Sequence, residues 1–365
     1  MSHSKDLEYM AYAIQLARRG LYTTAPNPRV GCVIVRDGKV IGEGWHQRAG
    51  EAHAEIHALK MAAEAAAGAT AYVTLEPCSH HGRTPPCSQA LIDAGLVRVV
   101  AAMQDPNPQV AGSGLQQLQQ AGIVVEVGVL QAEAEALNPG FNKRMRTGRP
   151  YVRSKLAMSL DGRTAMASGE SKWITSNAAR NDVHRLRARS SAILTGAGTV
   201  LADDPSLNVR LDGFDDAHQP IRVVLDPYLS TPVDAKMLSL PGRTIILTTA
   251  EEDGVMAALI KAGAEVVCME GHADAIDLNA VMAFLAELQV NEVLLETGAT
   301  LSGAMLQQGL VDEMVIYMAP HIMGNQARGL FNLPGLEEMS QRIELDMMDV
   351  RAVGKDWRIT AKPKL

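Results

Sequence analysis

The chain has 365 residues, enough for two or three domains at roughly 100–200 residues each, and its 47% hydrophobic content lets it bury substantial cores. Its 34 Lys and Arg stand against 41 Asp and Glu, a net charge of −7 that argues against a general nucleic-acid or anionic-membrane surface. Any phosphate must then be met by a local cluster of Arg or Lys. Four cysteines (Cys32, Cys78, Cys87 and Cys268) are too few for a disulfide framework. No run reaches the ~18 apolar residues of a membrane span, and residues 1–20 lack the apolar core of a signal peptide, so the expected compartment is the cytoplasm.

In chain order, residues 6–19 set Leu7, Met10, Ala11, Ile14 and Ala17 on one helical face, which Gly20 ends. Residues 31–35 and 40–41 flank Asp37-Gly38, a hairpin turn. Residues 54–67 form an Ala-rich helix stopped by Gly68, and the buried strand 70–75 delivers Glu76, Pro77 and Cys78 at its end. Strands follow at 97–102 and 123–127, so the first half is alternating α/β around one mixed sheet. Asn138-Pro139-Gly140 and the basic run 143–150 are breaker-rich and read as a solvated linker. They divide the chain into domains at 1–146 and 147–365. In the second half, strands at 192–194, 221–225, 244–247, 265–268, 292–295 and 314–317 alternate with helices at 177–189, 254–262, 278–288 and 299–308. A doubly wound sheet of that kind places its site at the carboxyl ends of its strands.

One stretch carries distinctive chemistry. His53-Ala54-Glu55 precedes the apolar helix, and Pro77-Cys78 through Cys87 follows the next strand. One imidazole and two thiolates suit Zn²⁺, and three protein ligands leave a fourth tetrahedral position for water. Base and nucleoside deaminases carry His-x-Glu followed by Pro-Cys and a second Cys, the Glu acting as acid/base and not as a ligand. On that pattern His53, Cys78 and Cys87 hold one zinc per chain and Glu55 is the catalytic proton shuttle. Helix starts near His53 and Cys87 would turn positive dipole ends toward the metal. A metalloprotease helix at His53–His57 fails, because that motif needs Glu directly after the first His. Asn27-Pro28 and His46 flank the hairpin with two readings open: contact with a bound pyrimidine, or turn chemistry and a surface histidine. A structural zinc site with His80 or His81 as fourth ligand stays open too. A nucleic-acid deaminase would need a basic stacking surface, which the charge and 4% aromatics do not favour.

Eight residues separate Cys78 from Cys87, and the run Pro77-Cys-Ser-His-His-Gly-Arg-Thr-Pro-Pro-Cys87 resembles the zinc loop of the bifunctional riboflavin-biosynthesis deaminases/reductases. The resemblance covers nearly the whole chain. It implies a cytidine-deaminase-like α/β/α domain followed by a dihydrofolate-reductase-like α/β domain. The implied activities are deamination at C2 of 2,5-diamino-6-(ribosylamino)-pyrimidinone 5′-phosphate, then reduction of the ribosyl group to ribityl with NADPH. The implied partner is that small phosphoribosyl-pyrimidine, with no nucleic acid and no membrane; a homo-oligomer is compatible with the sequence.

Spacing alone leaves the nucleotide fold of the second half open. Gly196-Ala-Gly198-Thr-Val-Leu201 is a weak Rossmann fingerprint with Leu at its third glycine, and Asp226 would suit a free ribose 2′-hydroxyl if it faced one. Glu296-Thr-Gly298 through Gly303-Ala304 joins a strand to a helix and suits a phosphate equally well. The resemblance decides for a reductase, carried by 155–165, 168–175, 198–207 and 296–301. It implies that Ala157, Trp173, Thr199, Asp203, Gly298, Ala299, Thr300, Leu301, Ser302, Gly303 and Ala304 contact the cofactor. It implies substrate contacts from Ser171, Arg187, Leu207, Arg210 and Glu296. Guanidinium groups such as Arg187 and Arg210 are what a ribose 5-phosphate needs in an acidic protein. Lys155 is the candidate for a polarising or proton-supplying group near the sugar, or equally for a hydroxyl contact alone.

Overall fold

The computed structural model describes residues 3–79, 86–108, 110–215, 218–272 and 275–364. It divides into two compact units, Met1–Arg149 and Pro150–Leu365.

The first unit runs α1 (His3–Ala17), β1 (Gly31–Arg36), β2 (Lys39–Trp45), α2 (Ala54–Ala62), β3 (Thr70–Val73), α3 (Cys87–Asp93), β4 (Arg98–Ala101), α4 (Ser113–Gln120), β5 (Val124–Val127), α5 (Gln131–Leu137) and α6 (Pro139–Thr147). Its sheet has the order β2-β1-β3-β4-β5. β1 is antiparallel to both neighbours, while β3, β4 and β5 are parallel. Alternation along β1 makes the layers. Cys32 and Ile34 face α2, α3 and α4 through Ala54, Ala58, Leu91 and Leu118. Val33 and Val35 face α1 and α5 through Met10, Ala13, Leu16 and Leu137. Each large aliphatic side chain so buried contributes about 1.5–3 kcal/mol. The Ala face of α2 lets that helix lie close on the hairpin: a Cβ on Gly44 would sit 2.4 Å from the Ala54 carbonyl oxygen.

The second unit runs β6 (Tyr151–Ser159), β7 (Arg163–Ala165), α7 (Asn177–Arg189), β8 (Ala192–Gly196), α8 (Ala197–Asp203), β9 (Ile221–Leu225), β10 (Thr244–Thr248), α9 (Asp253–Lys261), β11 (Glu265–Cys268), β12 (Gly271–His272), β13 (Ala275–Ile276), α10 (Leu278–Glu287), β14 (Glu292–Leu295), α11 (Ala299–Gln307), β15 (Glu313–Ala319), β16 (Arg328–Gly329), β17 (Glu344–Val353) and β18 (Asp356–Lys364). Nine strands form one sheet, β11-β10-β9-β8-β14-β6-β15-β18-β17. The seven strands from β11 to β15 are parallel, and β18 and β17 add an antiparallel edge. One face packs on α10 and α11, the other on α7, α8 and α9.

The structure departs from the sequence reading at several points. Residues 139–147 are not a linker but α6, because Pro139 takes the first helical turn and Gly148, at φ 67°, closes it. The helix after His53 ends at Ala62, and a 3₁₀ turn continues it. The β17–β18 hairpin went unread. No helix among the described residues is long and apolar enough to cross a membrane.

Candidate active sites

His53 caps α2 in extended backbone (φ −76°, ψ 168°), Cys87 opens α3, and Cys78 lies beyond the end of β3. The three are brought together by two helix starts and one strand end. His53 Nδ1 lies 3.3 Å from Cys87 Sγ and 3.6 Å from Cys78 Sγ, and the three donor atoms all fall within 4.8 Å of one another. The Cys87 amide donates to Cys78 Sγ at 3.3 Å. Hydrogen bonding from Cys87, then from His53, holds the Cys78 thiol down at about 4, while the Cys87 thiol beside it is pushed up by Cys78 and by burial. A soft nitrogen and two sulfurs at these separations fit Zn²⁺.

Glu55 is the second residue of α2 and 3% exposed. Burial pushes its carboxyl up to about 7, against the pull of His53. His46 is not a surface residue: it is 2% exposed and stands edge-on to the His53 ring, centroids 5.3 Å apart. Its Nδ1 is 3.2 Å from the Ala52 carbonyl, which can only accept, so Nδ1 carries the proton and Nε2 accepts from Asn27 Nδ2 at 3.2 Å. Burial lowers the His46 pKa and favours the neutral ring. His80 and His81 lie outside the described residues. Sequence reasoning missed Glu76, whose buried carboxylate gathers backbone amides 29 to 39 residues downstream.

In the second unit the ends of β8 and β14 lie side by side. Glu296 follows β14 and takes a two-point ion pair from Arg187 of α7, Nε to Oε1 at 2.6 Å and Nη2 to Oε2 at 3.0 Å. Burial opposes ionisation of Glu296, but Arg187 overrides it and holds the carboxyl down at about 2, with Lys155 and His184 adding to the pull. Burial lowers the Lys155 ammonium on β6 against the attraction of Glu296. The Arg187 fork is therefore committed to Glu296, its Nη1 donating to the Asn208 carbonyl at 3.0 Å. Arg210 is exposed, with Nη1 on Asn208 Oδ1 at 2.9 Å, and its amide donates to His184 Nδ1 at 3.2 Å. His184 was not read from the sequence.

Leu207 is buried at φ 43° in the same loop as Arg210. Thr199 and Asp203 lie on α8, where Asp203 meets Lys172 Nζ at 3.5 Å. Trp173 is 70% exposed with the Arg180 guanidinium 4.5 Å over its ring, and Ser171 is half-buried two residues before it. Ala157 is half-buried on β6. Gly298 caps α11, and Ala299, Thr300, Leu301, Ser302, Gly303 and Ala304 form its first turns. Ser302 Oγ is buried there with no partner among the described residues. Asp226 is 0% exposed and does not face outward: it accepts from the amides and hydroxyls of Ser230 and Thr231 at 2.6–2.9 Å, closing its own turn.

Fold and chemistry together define a two-domain enzyme, a zinc-type deaminase followed by an α/β reductase. The cytidine and deoxycytidylate deaminase zinc-binding region matches residues 3–103, and the RibD C-terminal domain matches residues 150–359. The chain is 54% identical to riboflavin biosynthesis protein RibD of Escherichia coli (strain K12), over 96% of this chain and 98% of that one. Acinetobacter baumannii RibD superposes with a TM-score of 0.93 at 48% identity, covering 100% of both chains. A diaminohydroxyphosphoribosylaminopyrimidine deaminase/5-amino-6-(5-phosphoribosylamino)uracil reductase from Thermotoga maritima does so at 0.88 and 34%, covering 99% of each. The chain belongs to the RibD family of bifunctional deaminase/reductases of riboflavin biosynthesis.

Proposed function

We propose that the first unit deaminates 2,5-diamino-6-(ribosylamino)-pyrimidinone 5′-phosphate at C2 with zinc held by His53, Cys78 and Cys87, and that the second reduces the ribosyl group of the product with NADPH. The observation that carries this is the convergence of one imidazole and two sulfurs beside a buried glutamate. Zinc bound there supplies the Lewis acidity that makes water nucleophilic near neutral pH. Glu55, poised near 7, takes the proton from the attacking water and delivers it to the departing ammonia. The neutral His46 holds Asn27 by its amide, leaving the Asn27 carbonyl for a ring amino group.

For the second unit, the opening turn of α11 offers backbone N–H groups suited to a phosphate of the dinucleotide, which supplies the hydride. Arg210, exposed in its loop, is the cation offered to the 5-phosphate, while Arg187 gives three of its five N–H groups to Glu296 and Asn208. Lys155, kept less basic by burial, is the group we assign to give a proton to the sugar oxygen or nitrogen. Asp226 is taken up by its own turn and is not offered to a ribose 2′-hydroxyl, which is compatible with the NADPH that the family resemblance implies. Metal analysis of purified protein tests the first half: we expect close to one zinc per chain, lost in Cys78→Ala and Cys87→Ala. Full deaminase activity in metal-stripped protein would overturn it.

A further inference from the structure

Glu76 is 5% exposed, and its partners are backbone amides. Oε2 accepts from Asp105 at 3.0 Å and Gly112 at 2.9 Å; Oε1 accepts from Gly114 at 2.9 Å and Leu115 at 3.4 Å. A buried carboxylate is costly unless hydrogen-bonded, and these donors include the unpaired amides at the start of α4, where the helix dipole also favours negative charge. The residues that follow Glu76 are fastened to α4 as well. Gly114 lies so near that a Cβ on it would be 2.0 Å from the Pro77 carbonyl oxygen, and Ser113 Oγ lies 2.6 Å from Ser79 Oγ. On the other side α3 holds Cys78: the Ser88 amide donates to its carbonyl at 3.1 Å and the Cys87 amide to its sulfur.

From this arrangement we infer that Glu76 is the positioning residue of the metal site, fixing the Cys78 backbone to the start of α4 so that its sulfur stays in register with His53 and Cys87. The inference rests on the zinc reading above. It concerns acceptor number, not shape: glutamine at this position fills the same volume but turns an NH₂ toward amide donors.

The test uses the full chain, stripped of metal and titrated with zinc against a chromogenic chelator. Wild-type protein is measured first; failure to bind zinc there overturns the zinc reading itself. Glu76→Gln and Glu76→Ala are expected to lose about tenfold or more in zinc affinity, the scale seen when groups that orient ligands are removed. The control is Arg98→Met, which breaks the Arg98–Asp6 pair (2.9 Å) at the end of β4 away from Asp105 and is expected to lower the melting temperature with zinc affinity within about twofold. Wild-type affinity in both Glu76 variants, or its full return in Glu76→Gln alone, overturns the inference. So does an equal loss of affinity in Arg98→Met, which would mark a merely structural effect. If neither Glu76 variant folds, Ser79→Ala takes their place, removing the hydroxyl that meets Ser113 while leaving the Ser113 bond to the Val110 carbonyl intact. A loss of about two- to threefold is expected, and none overturns the inference.

Discussion

Each unit places a glutamate in a buried site, and the two carboxyls are held in opposite states. Glu55 lies 3% exposed, burial outweighs the pull of His53, and its carboxyl is pushed up to about 7. The side chain of Glu296 is 10% exposed, yet the Arg187 fork meets both its oxygens and its carboxyl stands at about 2. Desolvation pushes both the same way. The partner decides the outcome, and with it what each carboxyl can do. One near 7 can carry protons at neutral pH, whereas one near 2 is a permanent anion that fixes its neighbours.

The largest expected effect tests the first half of that contrast. Glu55→Ala should slow deamination about 10²–10⁴-fold while reduction of pre-deaminated substrate stays within about twofold. Ammonia release and NADPH absorbance report the two. Loss of both activities with normal zinc content and circular dichroism would show that the sites are not independent. Next comes Arg187→Met, which strands Glu296 without its cation. Breaking a buried pair from one side typically costs about 3–5 kcal/mol, so urea denaturation should show the second unit destabilised by that order, and reduction should collapse. Adding Glu296→Gln should restore the stability but not the activity; if it restores neither, Arg187 acts through contacts other than this pair.

The smallest effect is a pH slope. Burial, then Arg187 and Arg210, depress His184 to about 4 from its ordinary 6.5. Between those values the unfolded chain binds more protons than the folded one. Stability therefore rises with pH across the window and falls on acidification, by at most about 1.4 kcal/mol per pH unit. The Glu296 contribution is lost lower, as pH falls from 4.5 toward 2. Urea denaturation of wild-type and His184→Gln protein from pH 7.5 to 4.5 separates them: the variant should show the shallower slope, and identical slopes would remove His184 from the account.

The two sites were also unequally legible in the sequence. The His53, Cys78 and Cys87 cluster was legible because its residues are chemically distinctive and sit in local motifs, near helix starts or a strand end that the apolar pattern marks. Arg187 and Glu296 are 109 positions apart and belong to residue types found on any surface, so only the resemblance singled them out, and their pairing was visible only in the fold. Glu76 was hidden for the same reason: its partners are backbone amides, which carry no sequence signal. The strand β17 left no burial alternation to detect, since nearly every residue on it is exposed. The helix α6 looks like a linker in sequence because Pro139 and Gly148 have the composition of breakers, whereas in the fold they are its two ends.

Gly44 gives the deaminase half a particular kind of fragility. The helix that carries Glu55 rests against bare backbone there, so its height above the hairpin is set by an atom that is missing. A site calibrated by omission has tolerance in one direction only: nothing smaller than glycine can loosen it, and the first added carbon lifts Glu55 and the His53 end of the helix together. Mutational sensitivity in this half should therefore extend to a residue with no side chain, no charge and no chemistry of its own.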